Sequence, residues 1–208
     1  MTMDEEFVSR FIPRGRKTVF LLLHGTGGDE NSLLPLAGAL DGRASILSVR
    51  GNVRENGMPR FFRRFAEGVF DEEDLKFRTS ELADFVVRTS SQAGFKLDSV
   101  VIVGYSNGAN IGASLLLLRP EVARSAVLFR PMVPLRPGVL PDLAGKSVLI
   151  SAGLRDSIVP KQSTIELESL LRRAGAEVKT VWTDGDHGIT RPEVDGVRDW
   201  LSSRVARR

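Results

Sequence analysis

Two spacings of apolar residues alternate along this chain. Short continuous runs, rich in Val, Ile and Leu, read as strands buried on both faces. The longer stretches between them, apolar at every third or fourth position, read as helices with one buried side. The runs are Lys17 to Leu23, Ser45 to Val49, Ser99 to Val103, Ala126 to Phe129, Ser147 to Ala152 and Glu177 to Trp182, with Phe7 to Ile12 as an edge strand that stops at Pro13. A first helix is expected from Asn31 or Ser32 to Leu40, capped by Asp29 or Asn31. A second begins at Asp71 with acids in its first turn, aligns Leu75, Leu82, Phe85, Val86 and Ala93, and stops at Gly94. A third starts on small residues at Ala109 and ends before Pro120. A fourth spans about Lys161 to Ala174, with Ile165, Leu167, Leu170 and Leu171 as its apolar set, and Val194, Val197, Trp200 and Leu201 mark the last. This alternation predicts right-handed crossovers and a mostly parallel central sheet of about six to seven strands, helices on both faces: an α/β protein. Residues 50–70 break the pattern, with Gly51, Gly57, Pro59, Gly68 and the cluster Arg60-Phe61-Phe62-Arg63-Arg64-Phe65.

Composition narrows the picture slightly. A chain of 208 residues suits one well-cored domain, 1–208, without room for a large cap. The absence of cysteine excludes disulfides, thiolate metal sites and a cysteine nucleophile. The acidic start lacks the basic and apolar regions of a secretory signal, and no apolar run reaches membrane-spanning length, so a cytoplasmic protein is expected. A net charge of +3 is too mild to argue for nucleic acid. Arg204, Arg207 and Arg208 suit the negative end of a terminal helix.

Chemistry concentrates where strands end, the edge at which sites in parallel sheets lie. After the run Ser99 to Val103 comes Gly104-Tyr105-Ser106-Asn107-Gly108, the G-x-S-x-G turn that lifts a serine hydroxyl above a sheet. Side chains at Gly104 and Gly108 would collide where strand meets helix. A serine nucleophile needs a base and the base an orienting acid. Of the two histidines, His187 lies in a glycine-flanked loop after the last strand, in the right order for the base. His24 reads as a structural histidine bracing the turn beside it. Asp156 is the acid this order selects, as the carboxylate directly after the run Ser147 to Ala152. Asp184 and Asp186 suit turn chemistry, and Arg130-Pro131-Met132 offers no acid. An oxyanion would be met by the backbone N–H groups of Thr26 and Asn107. The Gly25 to Glu30 turn lacks the third glycine of a dinucleotide fingerprint and the lysine of a phosphate loop. His24, Asp184, Asp186 and His187 lack the spacing of a zinc set, so no metal or other cofactor is expected.

Four motifs in the same order, Leu23 to Glu30, Gly104 to Asn110, G-x-x-D-x-x-V-P at Gly153 to Pro160, and His187-Gly188, resemble the phospholipase/carboxylesterase family of α/β hydrolases. The likeness runs over about residues 17–200. That family holds the acyl-protein thioesterases and small bacterial carboxylesterases, and the Thr-Gly-Gly-Asp-Glu turn and arginine-phenylalanine cluster look most like the bacterial branch linked to methylhydroquinone resistance. The resemblance implies the α/β-hydrolase fold, a serine esterase with Ser106, Asp156 and His187 as triad, and Thr26 and Asn107 as oxyanion donors. Asn107 stands where thioesterase members often carry Gln, and Asp186 where many have Gly, which bears on substrate preference. A lysophospholipase, an acyl thioesterase or a silent binding protein would carry the same fold. Residues 50–70 are the candidate site wall, with Arg60, Phe61, Phe62, Arg63 and Arg64 toward an anionic substrate. The bland alternative packs the phenylalanines inward and leaves the arginines to solvent or to Glu72, Glu73 and Asp74. The expected partner is a small-molecule ester, with a homodimer as the assembly to test.

Overall fold

The computed structural model describes residues 7–205. In chain order these form β1 (Ser9–Ile12), β2 (Val19–Leu23), α1 (Leu34–Leu40) and β3 (Ser45–Val49). Four short strands follow, β4 (Val53–Glu55), β5 (Met58–Arg60), β6 (Arg64–Ala66) and β7 (Val69–Phe70). The rest of the chain alternates: α2 (Glu72–Ala93), β8 (Val100–Tyr105), α3 (Asn107–Leu118), β9 (Ser125–Phe129), β10 (Ser147–Gly153), α4 (Lys161–Arg173), β11 (Glu177–Thr183) and α5 (Arg191–Val205). A seven-stranded sheet has the order β1-β3-β2-β8-β9-β10-β11, and every pair is parallel except β1 with β3. The antiparallel partner is the expected edge strand.

Alternation along each inner strand feeds two cores. In β2, Leu21 and Leu23 join Ile102, Leu128 and the apolar sides of α2, α3 and α4. Phe20 and Leu22 face the other way, against α1 and α5 through Ala37, Leu40, Val197 and Trp200. Burial on both faces is why these runs contain almost no polar residues. It also pins the register, with Leu23 opposite Gly104 and Tyr105 opposite Phe129, so several strand ends finish at one rim.

Three expectations change. The first helix starts at Leu34, not at Asn31 or Ser32, and its N-cap Leu33 makes no side-chain bond. The Asp29 carboxylate instead accepts from Asn31 N (2.9 Å) and Ser32 Oγ (3.0 Å), closing a turn that competes with the helix. In α4, Ile165 is 41% exposed, and Thr164 takes the inward place beside Leu167, Leu170 and Leu171. Residues 50–70 are two hairpins, β4–β5 and β6–β7. The first turns at Asn56-Gly57, both at positive φ (50° and 79°), the pair that matches the twist of a tight hairpin. At the chain's end Arg204 pairs with Glu177 and stacks on Trp200, while Arg207 and Arg208 lie outside the described residues.

Candidate active site

Between β8 and α3, Ser106 is the single residue of the turn, at φ 52° and ψ −116°. Its own N–H donates to Phe129 O at 2.9 Å, tying the bend to the neighbouring strand. The flanking glycines are forced by space. A Cβ at Gly104 would sit 2.6 Å from Gly108 O, and one at Gly108 would sit 2.0 Å from Leu23 O. Both obstacles are backbone, which cannot rotate away. Strand and helix press together here, and Ser106 is pushed up beyond the sheet.

Three loops bring the remaining groups to it. His187 follows β11, and its Nε2 lies 3.0 Å from Ser106 Oγ. Its Nδ1 lies 2.8 Å from Oδ2 of Asp156, which follows β10. A proton on Nδ1 satisfies both contacts: Nδ1–H donates to the carboxylate and Nε2 accepts from the serine. The Asp156 side chain is 1% exposed. Burial by itself would push its carboxyl up. The bonds it accepts from Val159 N, His187 and Ile158 N outweigh that and hold it below its usual range. Asp156 therefore stays ionised next to the imidazole.

The two residues whose N–H groups are the expected oxyanion donors both line the cavity beside the serine. Asn107 opens α3, so its N–H precedes the helical ladder. Thr26 lies in the turn after β2, where the turn's own bonds run from Gly27 N to Pro59 O and from Gly28 N to Gly25 O. Thr26, Ser106, Asn107 and His187 all line one small cavity of about 100 Å³. The segment Pro59 to Phe61 braces both donors' surroundings: Arg60 Nη1 donates to Thr26 Oγ1 (2.7 Å), and Phe61 N donates to Asn107 Oδ1 (2.8 Å). His24 is a brace as well. Fully buried, it has Nδ1 2.6 Å from Gly25 O and accepts from Gly51 N at Nε2 (3.0 Å), leaving no nitrogen for catalysis.

The arginine-phenylalanine cluster divides. Arg60 lines the cavity with Arg64, although both are engaged by Glu55. Phe61 and Phe62 do not reach the cavity: they are 2% and 0% exposed, packed against His24 and Phe70 respectively. Apolar rings of that size gain more from burial than from a wet rim. Arg63 points away, paired with Asp71 at 3.1 Å. Asp186 takes the turn role, its Oδ1 accepting from Gly188 N (2.8 Å), and Asp184 is exposed beside Arg155. Among the described residues no group of three or more His, Asp or Glu side chains is arranged to hold a metal. No helix among them is long and apolar enough to cross a membrane. A larger cleft of about 800 Å³ lies at the opposite ends of β2, β8 and β9, lined by Lys17, Phe20 and Trp200, far from the serine. One residue passed over in the sequence, Arg130, lies directly under the His187 loop.

Comparison with known proteins adds a family. The model of the dienelactone hydrolase family matches residues 63–204. A putative hydrolase of Bacillus subtilis (strain 168), MhqD, is 49% identical over 90% of this chain and 94% of its own. The crystal structure of a Bacillus cereus carboxylesterase superposes with a TM-score of 0.93 at 49% identity, covering 96% of this chain and 95% of that one. A carboxylesterase from Mesorhizobium loti does so with a TM-score of 0.89 at 34% identity, covering 97% of each.

Proposed function

This chain belongs to the dienelactone hydrolase family, is a hydrolase of the carboxylesterase type, and has the α/β-hydrolase fold; on that premise we propose a single-domain cytoplasmic serine esterase acting through an acyl-enzyme. The observation that carries the proposal is the unbroken line Ser106 Oγ, His187, Asp156, with contacts of 3.0 and 2.8 Å.

In the first step His187 Nε2 takes the proton of Ser106 as Oγ attacks the ester carbonyl. Negative charge develops on the carbonyl oxygen and is met by the N–H groups of Thr26 and Asn107. The imidazolium, stabilised by Asp156, returns its proton to the leaving alcohol and the acyl-enzyme remains. Water then attacks the acyl group with His187 again as base, and serine and acid are released.

The substrate we propose is a small or short-chain ester. The cavity beside Ser106 holds only about 100 Å³, which favours a small ester over a long acyl chain. Arg60 and Arg64, which both line the cavity, are the members of the cluster proposed to contact substrate. A second reading has its own support: Phe65 and Val69, 76% and 53% exposed, project from the hairpin whose Glu67 and Phe70 line the cavity. Such a rim suits the longer apolar chain of a lysophospholipid or acyl thioester.

Hydrolysis of p-nitrophenyl esters from acetate to laurate, with wild type and Ser106→Ala in parallel, tests both readings. Serine-dependent turnover greatest for short chains supports the small ester. A maximum at long chains moves the substrate to the second reading, and full turnover by Ser106→Ala removes the mechanism.

A further inference from the structure

We infer that Arg130 is a positioning residue for the proposed base: its guanidinium clamps the peptide carbonyls on both sides of His187 and so holds the imidazole in line with Ser106. The inference rests on the reading of His187 as general base.

The His187 loop has little of its own to hold it. It runs from the end of β11 to α5 with glycines at 185 and 188 and no regular structure. Arg130, directly after β9, reaches it from below. Nε donates to Asp186 O at 2.8 Å and Nη2 to Gly188 O at 2.6 Å. The carbonyl between them, that of His187 itself, accepts from Tyr105 Oη at 3.1 Å. Three consecutive carbonyls are therefore tied to β8 and β9, the strands that also set Ser106. Nucleophile and base share one foundation.

The remaining donors of Arg130 go to Glu193 and Ser151. Nη1 meets Glu193 Oε1 at 2.5 Å and Ser151 Oγ at 3.3 Å, and Nη2 meets Glu193 Oε2 at 3.1 Å. All five N–H groups have partners, and the side chain is 0% exposed. Glu193 also accepts from Thr190 N (2.8 Å) and Thr190 Oγ1 (2.7 Å), which fixes the far end of the same loop. The near end is fixed by Arg155 N donating to Gly185 O at 3.0 Å. Glu193 balances the charge of Arg130, whose Nε also lies 3.9 Å from Asp156 Oδ2, so the guanidinium adds no uncompensated positive charge beneath an imidazole that must become positive during acyl transfer.

A plain filler would not be built this way. A buried ion pair is a poor route to stability compared with apolar side chains of equal volume. Arg130 also holds φ 55°, a conformation that a bulky residue adopts only when its surroundings enforce it. Charge, fork geometry and strained backbone meet where they orient His187. Lysine cannot replace the fork, because a point ammonium does not span two carbonyls and a carboxylate in one plane.

The test compares wild type, Arg130→Lys, and the double variant Arg130→Met with Glu193→Gln. The double variant removes both charges while Gln still accepts from Thr190, which keeps a folded protein available if Arg130→Lys fails to fold. Displacing a reacting group by about 1 Å costs on the order of 100-fold, so kcat should fall between 10- and 100-fold with KM changed by less than about twofold. The Nδ1–H proton resonance of His187, assigned against His187→Gln, should broaden or vanish in both variants. A structural role alone would lower the melting temperature and leave kcat per folded molecule unchanged. Variants that fold, turn over at the wild-type rate and keep the resonance overturn the inference. Wild type without ester turnover would instead remove the esterase reading, and the resonance would still decide whether Arg130 holds His187.

Discussion

Asp156→Asn is the substitution whose effect the geometry specifies most completely. The two carboxylate oxygens have separate duties. Oδ1 accepts from Ile158 N (2.8 Å) and Val159 N (3.0 Å), and Oδ2 accepts from His187 Nδ1 (2.8 Å). Asparagine has the same shape but one oxygen. If that oxygen turned to His187, its NH₂ would face two backbone donors, leaving both unpaired at about 1–3 kcal/mol each. That exceeds the roughly 1 kcal/mol of one neutral bond to the imidazole. The oxygen therefore stays with Ile158 and Val159, and the NH₂ faces His187. Nδ1 must then accept, the ring proton moves to Nε2, and Nε2 meets Ser106 Oγ at 3.0 Å as a donor. The base is lost without a heavy atom changing place. In Ser-His-Asp hydrolases this tautomer exchange costs about 10⁴ in kcat, or about 5 kcal/mol at ~1.4 per factor of ten. The assay is kcat for p-nitrophenyl acetate, with circular dichroism to verify the fold. There is also a signature in stability. The folded-state pKa of Asp156 is depressed, so its contribution is present above the ordinary carboxylate range and lost as pH falls through the folded value. The melting-temperature gap to Asp156→Asn should accordingly narrow in acid. A folded Asp156→Asn enzyme with kcat within tenfold of wild type would refute the reasoning.

Other expectations follow from single contacts. Gly108→Ala places a Cβ 2.0 Å from Leu23 O, an overlap that only separating α3 from β2 relieves, so the variant should be insoluble or melt far below wild type. Thr26→Ala keeps the backbone N–H assigned to the oxyanion and loses the hydroxyl bonded to Arg60; kcat should fall less than about tenfold, against the 10²–10³ expected when an oxyanion donor is removed. Burial alone would raise the Glu193 carboxyl, but the bonds it accepts from Arg130, Ser151 and Thr190 lower it from 4.5 to about 2, so its ionised form adds stability that is fully present above the unfolded value and lost as pH falls toward the folded one. Urea unfolding should show the stability gap between wild type and Glu193→Gln shrinking from about pH 6 to about pH 3.

What the residues disclosed and what they hid follow one division. The turn around Ser106 was legible because its demands are local: glycines at fixed offsets, a β-branched run before, small residues after. The placement of Asp156 and His187 at the ends of β10 and β11 needed one further rule, that parallel sheets collect chemistry at one edge. The hairpins within 50–70 escaped because their strands, such as Val53–Glu55, are too short to show a period. Asn56-Gly57 was the one strong signal there, and it is a turn signal. The first helix was placed too early because Asp29 reads equally well as a cap or as the start of a turn, and only Leu33 in its actual place decides between them. Arg130 was hidden for a different reason. Its partners lie 56 and 63 residues away, and an arginine after a strand, in a chain with 29 basic residues, reads as ordinary surface charge. Only when β9 takes its place between β8 and β10 does that side chain come to lie beneath the loop of His187. A nucleophile's requirements are written into the backbone next to it. A positioning residue's requirements are met by whatever the sheet order brings alongside, which is why the proposed triad was legible first and the residue proposed to align it needed the fold.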